Sequence, residues 1–150
     1  MRKLGLVGLV GLVGLVVIAA CGGGQALSAG MIPGASGPRE ALESFLQTVR
    51  SKDIQQMSLV WGTAEGPVRG RMERNEMEKR ELLLQCYLRH DAFRVIDETK
   101  STTGKVMFRV ELAQGAVKRA TNFTTVKGPE DRWFLEDVDI SVMQDFCRNR

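Results

Sequence analysis

Few side chains in this sequence are equipped for chemistry, and they gather in three places. Cys86, His90 and Asp91 form the first, with Cys147 near the C-terminus as a remote fourth member. Cys86 and His90 are four residues apart, so a helix would set them on one face, and sulfur, imidazole and carboxylate are zinc-type ligands. No compact ligand spacing such as CxxC accompanies them, so no metal site is expected. The second group is Tyr87 with Asp97, Asp137 and Asp139. A tyrosine and an aspartate in one cavity could polarise a carbonyl and move a proton. Tyr87 falls in an apolar helical stretch and the aspartates on strands, where solvated acids are the ordinary reading. The third is the glycine-rich stretch 62–70, flanked by Trp61, Arg69 and Arg71 and containing Thr63. It lacks the GxxxxGK[ST] phosphate-loop pattern. Trp61, Thr63, Arg69 and Arg71 are therefore expected to form a mobile binding rim, or else a plain connection between helices. Asn122-Phe123-Thr124 matches a glycosylation sequon by chance.

The elements that must position these residues follow from periodicity. Pro38 suits a first helical turn, and Ala41, Leu42, Phe45, Leu46 and Val49 recur at helical spacing behind it. Asp53 with Gln56 three residues on makes a capping box for a second, short helix carrying Ile54, Met57, Val60 and Trp61. A third helix spans about 71–89. Its first half carries the i,i+4 pairs Arg74–Glu78 and Glu76–Arg80 and is expected to be solvated; its leucine-rich second half is expected to dock. From Ala92 the period becomes two. Strands are expected from Ala92 to Asp97, over 105–112, over 117–127 and over 132–140, separated by turns at 101–104, 113–116 and 128–131. Trp133 and Leu135 are out of phase with Val138 and Ile140, which predicts a bulge near Glu136-Asp137. Ser141 would cap a last turn holding Val142, Met143 and Phe146. Helices followed by a four-stranded meander define an α+β domain.

The first 37 residues stand apart. Arg2 and Lys3 precede an uncharged apolar run of 17 residues, Leu4–Ala20, with glycine at 5, 8, 11 and 14. The run is short for a membrane span, and glycine weakens a helix by about 1 kcal/mol per position. Basic head, apolar core and small residues read as a signal peptide over 1–20. Ile18-Ala19-Ala20-Cys21 resembles the lipobox of bacterial lipoproteins, departing only at Ile18, where leucine is commonest. The resemblance implies that Cys21 is lipidated, becomes the first residue after cleavage and anchors the chain to a membrane. With Gly22 behind the cysteine, it also implies an outer-membrane address, facing the periplasm, in a host with two membranes. Residues 21–37 are then the lipidated cysteine and a tether with six glycines, and 38–150 is the globular domain. Cleavage lowers the 21 basic residues to 19 against 18 acidic, a net charge of +1, so nucleic acid is not an expected partner. With Cys21 lipidated in an oxidising compartment, Cys86 and Cys147 are left as an even pair. A disulfide between them is expected, with free buried cysteines as the alternative.

The element order over 38–150 is similar to nuclear transport factor 2-like domains and to cystatin-like lipoproteins, in which N-terminal helices pack on a curved antiparallel sheet. Phe45-Leu46 in the opening helix, the Lys52-Asp53 step and the strand Arg132-Trp133-Phe134-Leu135 leading to Val138-Asp139-Ile140 carry the resemblance. Catalytic members such as ketosteroid isomerase use a cone cavity with buried acids, a tyrosine and an aspartate base. Here Val106, Phe108, Val110 and Leu112 are expected to fill that cone against Phe45, Leu46 and Val49, with Trp133 and Leu135 extending the cluster. His90 is expected at an exposed helix end. The expectation is a membrane-anchored, non-catalytic binding or assembly domain without cofactor, with a homodimer or an envelope protein as partner. The alternative is a small-molecule isomerase or dehydratase-type enzyme.

Overall fold

The apolar spacing of residues 38–51 produces helix α1 (Pro38–Ser51), whose buried stripe is Ala41, Leu42, Phe45, Leu46 and Val49. In the computed structural model, which describes residues 32–148, proline occupies its first turn. Ser36 donates from both its amide and its hydroxyl to the Glu40 carboxylate, which holds that carboxyl below its usual range. Lys52, at φ 57°, ends the helix in the left-handed conformation. Asp53 then caps α2 (Ile54–Val60) by accepting from the Gln56 amide at 3.0 Å.

The stretch expected to be an open loop is a miniature hairpin, β1 (Gly62–Thr63) and β2 (Gly66–Pro67). Gly62 is required there. A Cβ at this position would lie 2.5 Å from the Gly66 carbonyl and 2.9 Å from the Phe134 ring. Helix α3 (Arg74–Tyr87) follows, shorter at both ends than its apolar and charged pattern suggests. The antiparallel sheet then runs in chain order: β3 (Ala92–Lys100), β4 (Lys105–Gln114), β5 (Val117–Lys127) and β6 (Trp133–Val138). A short α4 (Gln144–Arg148) closes the described chain. The architecture is α+β. Among the described residues no helix is long and apolar enough to cross a membrane.

Alternation on β4 places Val106, Phe108, Val110 and Leu112 at 0–4% exposure, and Phe108 lies opposite Phe123 of β5. They join Leu42, Phe45, Leu46 and Val49 of α1 in one cluster, and Trp133 and Leu135 pack into the same body. On β6 the register jumps: Thr124 faces Asp137 and Thr125 faces Leu135, leaving Glu136 as the extra residue. The bulge brings Val138 and Ile140 back to the face of Trp133 and Leu135, so all four contact the core.

The domain begins before Pro38. Ala35 bridges Trp133 with paired backbone bonds of 2.8 and 2.9 Å. The Arg132 guanidinium donates to the carbonyls of Pro33 (3.2 Å) and Gly34 (2.6 Å). Gly34, at φ 74°, passes so close over Phe134 that a Cβ would sit 2.9 Å from the ring. Residues 33–35, expected to belong to the tether, are thus part of the fold, because they satisfy the outer edge of β6 and cover its second face. Residues 1–31, which include the expected signal peptide and Cys21, lie outside the described residues.

Candidate functional site

Helix α3 is arranged differently from its sequence expectation. Its inward stripe is Met77, Glu81, Leu84 and Leu88, at spacings of four, three and four. Leu82 and Leu83, expected to dock, are 56% and 55% exposed. They fall off the stripe because 100° per residue turns them to the far side of the helix once Glu81 and Leu84 face inward. Arg74–Glu78 and Arg80–Glu76 form the expected surface pairs at 2.8 and 2.7 Å.

Between α3 and β6 lies an open groove of about 380 Å³. Its apolar surface comes from Trp61, Leu84, Leu135, Val138 and Ile140, with the exposed Leu83 as one wall. Trp61 reaches it because its backbone bridges Leu135 in parallel. The rim carries Arg80, Glu136 and Asp137. Adjacent residues on a regular strand point to opposite faces. Glu136 and Asp137 meet at the register shift of β6, and both carboxylates border the groove. Lys105 pairs with Glu136 at 2.5 Å and Arg80 is engaged by Glu76, while Asp137 is exposed and has no ion-pair partner among the described residues. A larger hollow of about 520 Å³ beside α1 and α2 is walled by the helix surface of Glu43, Ser44 and Gln47 and by Ile32. Glu40 on its wall is engaged by Ser36.

The expected rim of Trp61, Thr63, Arg69 and Arg71 is not one site. The hairpin reverses the chain after Thr63 and separates its members. Only Trp61 borders the groove. The Thr63 hydroxyl accepts from the Glu65 amide, and Arg71 pairs with Glu65. Arg69 donates to Gln55 Oε1 at 2.5 Å and lines a separate recess with Met77 and Glu78.

The titratable group that sequence reasoning missed is Glu81. It is wholly buried, and neither carboxyl oxygen has a hydrogen-bond partner. Burial raises its pKa to about 7; Glu78 pushes the same way and Arg69 opposes. Its place midway along the Met77–Leu88 stripe was the available signal. Glu81 is not on the groove wall, and the amide nitrogen of Gln85, one turn on, is likewise buried without a partner.

The cysteine–histidine constellation is not assembled. Cys86 and Cys147 are joined in a disulfide with Cα atoms 4.8 Å apart, tying α3 to α4. His90 is 5% exposed rather than standing at an open helix end. The Leu88 carbonyl can only accept, so Nδ1, 2.8 Å away, carries the proton. The ring meets Phe93 edge-on with centroids 5.8 Å apart, and burial holds its pKa down. Tyr87 packs against the core. Asp97 accepts from Thr99, and Asp139 accepts from the Ser141 amide and hydroxyl, which lowers its pKa. Tyrosine and aspartates therefore serve separate places.

These features define an α+β domain with a filled interior and an apolar groove on its flank. No protein-family model, curated protein or solved structure matches the chain.

Proposed function

We propose that this chain is a membrane-anchored envelope lipoprotein whose domain works by binding, not by catalysis, and that the α3–β6 groove is its binding face. Cys21 is the residue that carries the lipid, and the segment between it and Pro33 is the spacer. In a host with two membranes the protein sits on the outer membrane facing the periplasm. A second copy or another envelope protein could join it on the remaining surface.

The observation that carries this reading is where the space lies. Phe45, Phe108, Phe123, Leu112 and Leu135 fill the interior at 0–1% exposure. Interiors packed to crystal-like density hold no substrate. The groove, by contrast, is apolar with a few charged groups at its edge, the usual composition of a ligand site. The Cys86–Cys147 disulfide supports an oxidising compartment.

The test uses the full chain in membranes. Wild type should incorporate labelled palmitate, and Cys21→Ser should not. The neutral dye N-phenyl-1-naphthylamine should bind saturably and quench Trp61 in a Trp133→Phe background. Leu83→Glu, at an exposed position, should remove that saturable component from the same membrane preparation. A processed wild type without lipid would refute the anchor. Equal quenching with Leu83→Glu would refute the groove.

A further inference from the structure

The charge around the groove selects among ligands, and the inference drawn from it rests on the groove being the binding face. Five charged side chains stand at or beside it, and four cancel in pairs: Arg80 with Glu76 and Lys105 with Glu136. Asp137 is left over, exposed and without an ion-pair partner among the described residues. It borders the groove one residue past the bulge at Glu136. An anion entering the groove would meet two adjacent carboxylates, with the one rim cation already engaged. A neutral apolar ligand would cover Asp137 without compensating its lost water. A cation would be paired there, and the indole of Trp61 offers it a second attractive surface.

We propose that the α3–β6 groove binds a small amphipathic amine: an apolar body seated on Leu84, Leu135 and Ile140, with its ammonium group at Asp137. The volume of about 380 Å³ lies at the small end for ligand sites and suits a body of one ring with a short chain. Leu83, more than half exposed, walls the apolar part.

The experiment compares three probes of one shape, 4-phenylbutylamine, 4-phenylbutanol and 4-phenylbutyrate, at pH 7. The full chain carries Trp133→Phe so that Trp61 reports alone. The amine should bind about tenfold more tightly than the alcohol, and the acid more weakly than both. Asp137→Asn should bring amine and alcohol to within about twofold of each other. Two results overturn the amine assignment and leave the groove standing. One is equal binding of amine and alcohol to the wild type. The other is an amine preference that survives Asp137→Asn. If none of the three perturbs Trp61 at millimolar concentration, the groove reading itself fails, and the ligand class with it.

Discussion

The interior face of the sheet and the inner face of α3 both read as apolar stripes, yet they are finished differently. On β4 and β5 the buried inward positions are hydrophobes and threonines, and Thr121 and Thr125 hand their hydroxyls to the carbonyls of Asp139 and Val106. On α3 the stripe contains Glu81, whose oxygens are given to nothing, while Leu82 and Leu83 face water. A strand has two faces, so alternation decides which residues go inside. A helix of this composition has several rotations of similar burial, and the tertiary partners choose among them. The sheet is therefore the stable frame, and α3 is the side of the molecule built with surplus apolar surface and an uncompensated acid. A binding groove on that side is consistent with functional sites drawing on less optimised packing.

The contrast can be broken at its strong end first. Phe108 is fully buried beside Phe123, and Phe108→Ala should cost about 3–5 kcal/mol by the cavity it leaves. Urea unfolding of wild type and variant would measure it, and a loss below about 1 kcal/mol would mean the interior is not packed. Next comes the bond that holds α3 to the C-terminal segment. Replacing both Cys86 and Cys147 by alanine opens a link across 61 residues and should cost about 2–4 kcal/mol in the same assay.

Glu81 gives a pH signature. Its carboxyl holds a proton up to about pH 7 in the fold, against an ordinary value of 4.5. Between these values the folded state binds the proton and the unfolded state does not. Stability therefore falls as pH rises through that window and is flat above it, a loss of about 3 kcal/mol. His90, with its pKa lowered by burial, slopes the opposite way near 6.5, so the difference from Glu81→Gln is what isolates the acid. Glu81→Gln should gain on wild type from pH 5 to about pH 7 and hold that gain above it; parallel melting curves would show that Glu81 is solvated. The smallest effect is expected at Leu82→Ser, within about 0.5 kcal/mol of wild type, because the side chain is already in water. A large loss there would return α3 to the docked orientation.

Much of this frame could be read before any coordinates. Strand β4 was legible because Val106, Phe108, Val110 and Leu112 alternate without a break, whereas β3 runs on to Lys100, past the expected end at Asp97. The bulge showed as the phase change between Leu135 and Val138. Asp53 announced α2 through its cap. The groove was not legible, since it depends on the rotation of α3 and on the parallel bridge from Trp61 to Leu135, two tertiary choices that no local pattern encodes. The proposed rim failed for a related reason. Its four residues are close in sequence, but across the hairpin Trp61 and Arg69 line separate recesses while Thr63 and Arg71 engage Glu65. His90 was placed outside because it follows the helix. The Leu88 carbonyl and Phe93 draw it in.

The central claim is that this domain offers its ligand a flank and keeps its interior closed. Chemical-shift mapping of the isotopically labelled protein with 4-phenylbutanol tests it most directly, because interior and groove are reported by different amides. The account predicts saturable shifts at Trp61, Leu83, Leu135 and Ile140, with Phe108, Leu112 and Phe123 unmoved. Shifts centred on Phe108, Leu112 and Phe123, with the groove silent, would show a ligand inside the sheet and contradict it.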